Sequence, residues 1–503
     1  MPVNSKHPKF VARERDYTLI ADCVEGQRKI KKEGTRYLPQ PNASDLSEAN
    51  QERYGAYKKR AVFYNATART VSNSVGQSFA IDPVPTMPEQ MLDWLDDIDG
   101  AGVSAIQQSK KALAFIVGMS RAFLWVDYPK TGGIVSLADA EEGGIRPRII
   151  LCDPRKVINW RIIQQGAKSK LALVVIEEEY IKKDDGFEAT YAFQYRVLRL
   201  IDGKYWLEVH REGNGGWQIV ERVQPMNGDG MPLTEIPGTF IGAEANDVEV
   251  EKPLMLDIAN LNVAHYRNSA DYEEAVYMLG QPTPYLAGLS DNWVRDHMKG
   301  GIFLGSRECI PLPQGGTAGL IQPNPNTLPK EAMDQKEALM MALGAKLVER
   351  AEVAKTATEA GINESSETSI LASCCKNVSA AYAFGFRHAA GFANISIPED
   401  PQAVLYELNT DFAIARMSPE EAGGVLQLYQ ANLITFEEAR DKLKTGGWAY
   451  LDDEDAKDQL EEQADEEFKK AQAELQSQTD EQIRLQKEKP APGSKPPTAP
   501  AAA

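Results

Sequence analysis

The feature that most constrains this chain is an apolar stripe that keeps helical phase over an unusual length. Leu254, Ile258, Leu261, His265, Asn268, Tyr272, Ala275 and Leu279 follow one another in steps of four and three. That spacing keeps one face of an α-helix apolar for about 26 residues, or roughly 40 Å. The stripe stops at Gly280-Gln281-Pro282, a sequence that ends helices.

Two further long helices follow. One starts near Pro329, which suits a first helical position, with Met333, Lys336, Met340, Leu343 and Leu347 on its face. The other covers about 366–392, with Ile370, Cys374, Ala381, Gly385, His388 and Phe392 in register. A polar, small-residue stretch over 350–363 separates these two. A Pro/Gly-rich segment, 281–328, separates the first two and holds a short helix candidate at WVRDHM and a strand-like GGIFLGS.

Upstream, 50–80 has helical composition until Asp82-Pro83-Val84-Pro85, with Tyr57, Ala61, Tyr64, Ala68, Val71 and Val75 on one face. A helix over 104–118 leads into a buried strand over 121–129, stopped by Pro129. From about 146 to 240 the period becomes two. IRPRIILCDP, KVINWRII, LALVVIEEEYI, ATYAFQYRVLRLI, KYWLEVHRE and GWQIVERV read as strands, joined by Asp184-Asp185-Gly186, Asp202-Gly203 and Gly213-Asn214-Gly215-Gly216. This predicts an antiparallel β module whose Trp160, Tyr191, Phe193, Tyr195, Trp206 and Trp217 serve as core and cross-strand pairs rather than a base-stacking platform. After the third long helix, 404–412 reads as a strand, followed by helices over 418–429, capped by Ser418-Pro419-Glu420-Glu421, and 435–443. The fold class is α+β.

A hydrophobic fraction of 43% with 18 Tyr, 15 Phe and 7 Trp rules out disorder throughout the 503 residues and allows roughly two to four domains. The net charge is −18 and the isoelectric point about 5.0, which argues against a protein that coats DNA. Residues 452–503 hold fourteen Asp/Glu and seven Lys/Arg, and close on a Pro/Ala-rich run. They are expected to form a solubilising, disordered tail. The basic QRKIKKEGTRYLP cluster marks residues 1–45 as a solvated arm or a contact to a neighbouring subunit. No signal-peptide pattern opens the chain, and its apolar runs at 112–119 and 171–176 are too short for a bilayer, so a soluble chain is expected. Five cysteines without a CxxC spacing suggest a reduced, intracellular setting.

Motifs of catalysis are missing from the sequence: it has no phosphate-binding GxxxxGK[ST], HExxH, GxSxG or EF-hand loop. GGTAG at 315–319 lacks a lysine and reads as a turn. Cys374 and Cys375 cannot reach His388 within one helix, because 14 residues of rise set them about 21 Å apart. His265 lies on an apolar stripe, and the five histidines form no ligand-like cluster. No catalytic residue, metal site or cofactor is expected, and the chain is not read as an enzyme.

The order of parts resembles the portal proteins of tailed bacteriophages. Four stretches carry the likeness: YKKRAVFYNATARTV (57–71), RAFLWVDYP (121–129), CDPRKVINWR (152–161) and KTATEAGINESSETSILASCCKNV (355–378). It extends over about residues 50–450. The resemblance implies a wing over 46–252 containing antiparallel sheet, a first stem helix at 253–280, a clip at 281–328 and a second stem helix at 329–349. A tunnel loop at 350–364, a long kinked helix at 365–393, a wing closure and crown at 394–450 and a tail at 451–503 complete the order. It further implies a ring of twelve copies, about 666 kDa for a 55.5 kDa chain. Such a ring forms a channel at one capsid vertex through which double-stranded DNA is packaged and ejected, and on which the tail is attached. The implied partners are further copies of the chain, the terminase large subunit, head–tail adaptors, major capsid and scaffold proteins, and DNA in transit, with no membrane. Such a chain is assembled in the host cytoplasm and resides in the virion. Another oligomeric head–tail adaptor or minor head protein is the alternative.

A channel must let DNA slide, and each Lys/Arg–phosphate contact adds to a grip that would stall it. An acidic body with few cations therefore suits passage. Lys346, Arg350 and Lys355, with Thr356 and Thr358, are the residues expected to face DNA.

Overall fold

The structure is a computed structural model that describes residues 2–128, 145–280, 283–297, 312–321, 327–347, 369–398, 400–410, 412, 419–431, 433–445 and 448–449, with 456, 457, 459, 460, 468–470 and 472. Its chain forms two units, Met1–Phe412 and Ala413–Ala503. Helices and antiparallel sheets are mixed in the first.

The opening residues are not a solvated arm. Helix α1 (Pro8–Glu25) buries Phe10, Tyr17, Ile20 and Cys23, and α2 (Gln27–Glu33) buries Ile30. The Tyr37 hydroxyl donates to the buried Asp22 carboxylate at 2.6 Å, closing the segment on itself. The basic side chains that suggested an arm occupy only the outer side of α2.

The single helix expected over 50–80 is broken in two, α3 (Glu48–Arg60) and α4 (Ala66–Ser78). Between them the backbone is extended because its donors are taken elsewhere. The Val62 amide donates to Ser269 Oγ at 2.8 Å and the Phe63 amide to Gln27 Oε1 at 3.0 Å. Asn65 then restarts the helix by accepting from the Ala68 amide at 3.1 Å. The buried face of α4 is Thr67, Val71, Ser74 and Ser78, more polar than the expected one. A short strand β1 (Pro85–Thr86) follows.

Helix α5 (Ala105–Met119) begins at a capping box between Ser104 and Gln107 and ends at Ser120 in the left-handed conformation. The chain then enters β2 (Arg121–Asp127), in which six consecutive residues are buried. β2 pairs antiparallel with β3 (Arg148–Cys152). Next comes a five-stranded antiparallel meander of β4 (Val157–Gln165), β5 (Lys168–Asp184), β6 (Ala189–Ile201), β7 (Lys204–Gly213) and β8 (Gly216–Val223). Strand β9 (Gly238–Gly242) returns to the other edge of β2, giving a separate sheet ordered β3-β2-β9. The expected β module is thus two sheets. Of its aromatics, Trp160 and Tyr195 are buried and Trp206 and Trp217 half-buried, whereas Tyr191 and Phe193 are exposed on the outer part of the meander.

The long helix α6 (Leu256–Leu279) leads through β10 (Thr283–Ala287), α7 (Asp291–His297) and β11 (Thr317–Ile321) to α8 (Leu328–Ala345). β10 and β11 pair antiparallel from Thr283–Ile321 to Ala287–Thr317, which brings the chain back beside its point of departure. Helix α9 (Ile370–Ala393) then crosses the small sheet. A Cβ on Gly385 would lie 3.2 Å from Leu124 Cδ2 and 3.3 Å from Ile149 Cδ1, so glycine lets the helix lie close on β2 and β3. Buried polar side chains tie the layers: Tyr382 donates to Gln108 Oε1 at 3.0 Å, and Gln108 Nε2 to the Ile149 carbonyl at 2.9 Å. The strand expected over 404–412 shrinks to β12 (Leu405–Tyr406), limited by its two-residue partner β1.

In the second unit α10 (Pro419–Gln430) and α11 (Phe436–Thr445) follow one another, with Tyr429 and Phe436 edge to face at 6.2 Å. Thr435 caps α11 reciprocally with Glu438. The expected Ser418 cap and most of the 452–503 tail lie outside the described residues.

Candidate functional site in the paired helices

The elements that the sequence expectation assigns to stem and tunnel are α6, α8 and the point where α8 hands over to α9. Helix α6 is fixed at its start, where the Leu254 amide donates to Ser120 Oγ at 3.0 Å and the Met255 amide to the Gly118 carbonyl at 3.3 Å. Its buried side is Ile258, Ala259, Asn262, Val263, Tyr266, Ser269 and Ala270, together with His265. This face is rotated from the stripe through Leu254, Leu261, Asn268 and Tyr272, because α6 packs through small and polar residues that hydrophobic spacing does not register.

Asn262 is fully buried and satisfied. Its Oδ1 accepts from the Thr67 amide at 3.1 Å and the Thr67 hydroxyl at 2.9 Å, and its Nδ2 donates to the Tyr64 carbonyl. Two turns further on, Ser269 receives the Val62 amide, and Tyr57 donates to Asp271 at 2.6 Å. Burial, helped by that carboxylate, pushes the Tyr57 hydroxyl well above its ordinary pKa. Arg60 pairs with Glu274 and stacks over Tyr277 at 4.3 Å. Towards the end of the helix Val276, Tyr277 and Met278 are about half exposed.

α8 runs back along α6, joined to it by His265 Nε2 and Glu337 Oε1 at 2.9 Å. His265 Nδ1 is buried with no partner among the described residues. The inward residues of α8 follow the expected register, with Met340 and Leu347 buried and Met333, Lys336 and Leu343 half-buried. At its end the Leu347 carbonyl accepts from the Leu371 amide at 3.1 Å. This bond sets the end of α8 beside the start of α9.

Of the residues expected to meet DNA, Lys346 is exposed beside that point. Arg350, Lys355, Thr356 and Thr358 lie outside the described residues. Cys374 and Cys375 are buried, and burial raises their thiols to about 12 and about 11, so neither is a thiolate at neutral pH. Cys375 Sγ donates to Ser78 Oγ at 3.2 Å. His388 is engaged elsewhere, with Nδ1 at 3.0 Å from the Phe384 carbonyl and Nε2 at 3.2 Å from Glu235. No helix among the described residues is long and apolar enough to cross a membrane.

Sequence reasoning missed Asn262, Ser269 and the Tyr57–Asp271 bond, all of which position α6. The visible signal was the run of small and polar residues inside a helix otherwise rich in apolar ones.

A family model described as a domain of unknown function, DUF4055, matches residues 253–393, the span from α6 to α9. No curated protein matches the chain. Among the solved structures similar to it at low identity are three from one kind of particle. A chain from the neck of a native gene transfer agent particle, computed with C12 symmetry, is 14% identical at a TM-score of 0.37, over 75% of this chain and 89% of that one. A chain from the virion of a native gene transfer agent particle is 12% identical at 0.39, over 79% and 93%. The neck of the empty particle, computed with C6 symmetry, gives 14% and 0.38, over 77% and 90%.

Proposed function

We propose that this chain is the subunit of a phage portal: a ring-shaped channel at one capsid vertex that passes double-stranded DNA and carries the tail. The observation that carries the reading is the pair of long helices α6 and α8, joined by His265 and Glu337, with the end of α8 bonded to the start of α9 through Leu347 and Leu371. Two long helices from each copy would wall a channel, and the expected tunnel loop at 350–364 would belong to the connection between α8 and α9. The reading needs no catalytic group, since movement is driven by a separate ATP-consuming terminase, and it places the protein in the virion, contacting adaptors, capsid and scaffold. Charge agrees with the task, because a chain at −18 whose expected DNA-facing cations are only Lys346, Arg350 and Lys355 would touch phosphate without gripping it.

Mass photometry followed by negative-stain imaging tests the reading directly. A particle near 666 kDa with a central hole is expected for twelve 55.5 kDa chains, and rings of eleven or thirteen are compatible with assembly outside a capsid. A monomer or dimer under all conditions would defeat it. Arg350→Ala and Lys355→Ala should leave the ring intact while impairing DNA packaging or retention.

A further inference from the structure

The outer part of the five-stranded sheet presents a face whose large apolar side chains are about half exposed or more. Ile181, Tyr191, Phe193 and Ile219 lie on it, and each is between 49% and 66% exposed. Strand register puts them on one side: Ile181 pairs with Tyr191, Glu179 with Phe193, Tyr195 with His210, and His210 with Ile219. The same side carries Glu179 and Glu212, both exposed and without a cationic partner among the described residues. An apolar patch with unpaired carboxylates at its rim fits a surface of opposite sign. The face already holds one lysine in this manner. Lys156 lies 5.4 Å over the Phe193 ring while its ammonium donates to Glu177 at 3.1 Å.

Such a surface exists elsewhere on the same chain. The C-terminal turns of α2 and α3 meet where Lys31 Nζ donates to the Lys59 carbonyl at 2.9 Å. Around that contact Arg28, Lys32, Lys58 and Lys59 have no carboxylate partner among the described residues, in a chain whose net charge is −18. Val62, 49% exposed, supplies apolar area just beyond α3.

We infer that the outer face of β5, β6, β7 and β8 receives the basic α2–α3 surface of a second copy of this chain. The inference rests on the ring reading above, and it names which two surfaces join. A closed ring needs two different, mutually complementary faces on each subunit, and these two are opposite in charge and distinct in position. A two-fold dimer through either surface alone would bring like charges together.

Charge reversal in the full-length chain tests it. Glu179→Lys with Glu212→Lys, and separately Lys58→Glu with Lys59→Glu, should each cut the affinity between copies about tenfold or more, read as the ring fraction by mass photometry at low salt. The fourfold combination should restore rings, and Tyr191→Ser with Phe193→Ser should lose them without rescue. All these sites are exposed or half-exposed, and a thermal melt of each variant checks that it is folded. Rings that form equally well in both reversed variants would overturn the inference and leave the ring reading intact. So would a fourfold variant no better than its parents. Rings of the Lys58→Glu/Lys59→Glu protein that assemble but lose DNA would assign the basic surface to nucleic acid instead. If the unaltered chain forms no ring, the portal reading fails first and this one with it.

Discussion

The Leu347 carbonyl and the Leu371 amide lie 3.1 Å apart, which joins the end of α8 to the start of α9. The cost of closing a loop between two joined points depends only weakly on the length of chain between them. Replacing 348–368 by a short Gly/Ser linker should therefore leave the melting temperature within a few degrees and ring assembly intact. DNA packaging or retention should fail. A variant that no longer folds would show that the replaced segment is needed for folding.

Asn262 should be among the most sensitive positions in α6. Its replacement by leucine leaves the buried Thr67 amide without its acceptor and takes one partner each from the Thr67 hydroxyl and the Tyr64 carbonyl. An orphaned buried group costs about 1–3 kcal/mol. A loss in that range is expected from the urea midpoint.

Gly385 separates two effects that usually travel together. Alanine gains about 1 kcal/mol of helix propensity but sets its Cβ 3.2 Å from Leu124 Cδ2, so Gly385→Ala should change stability by about 1 kcal/mol at most. Gly385→Leu must push α9 off the sheet and should cost about 1–3 kcal/mol or more. Chemical denaturation of both variants makes the comparison.

Four buried thiols predict an alkaline limit. Burial raises Cys23, Cys152 and Cys374 to about 12 and Cys375 to about 11, from an ordinary value of 9.0. These groups hold their protons more tightly when folded, so their contribution is complete below pH 9 and lost as pH rises through 11 to 12. Denaturation midpoints should fall over that window, less so in a Cys374→Ala/Cys375→Ala protein. At pH 8 all four should resist alkylation in the native chain, which peptide mass mapping reads directly.

Much of the fold was legible because local chemistry and tertiary context agreed. The meander strands match their sequence runs closely, since Asp202-Gly203 and the glycines around Asn214 specify the turns and alternation specifies the faces. Where local and tertiary demands part, reading failed. The break at 61–65 follows from Ser269, two hundred residues away, taking the Val62 amide. The N-terminal helices were hidden because charged residues outnumber Phe10, Tyr17, Ile20 and Ile30 along the segment, although those four are what the core receives. The phase of α6 was missed because its contacts run through Asn262 and Ser269, which an apolar count discards. The helices of the candidate channel were nonetheless visible in order, through their length and their Pro/Gly punctuation.

Strand β5 spans 17 residues, buried at Val174, Val175 and Ile176 and open to solvent towards Ile181. One continuous element thus answers to two kinds of selection. Substitutions near its middle are judged by whether the chain folds, while those near its tip are judged by whom the chain meets. Partners can diversify at the tip, generation after generation, on a scaffold that the buried half keeps unchanged.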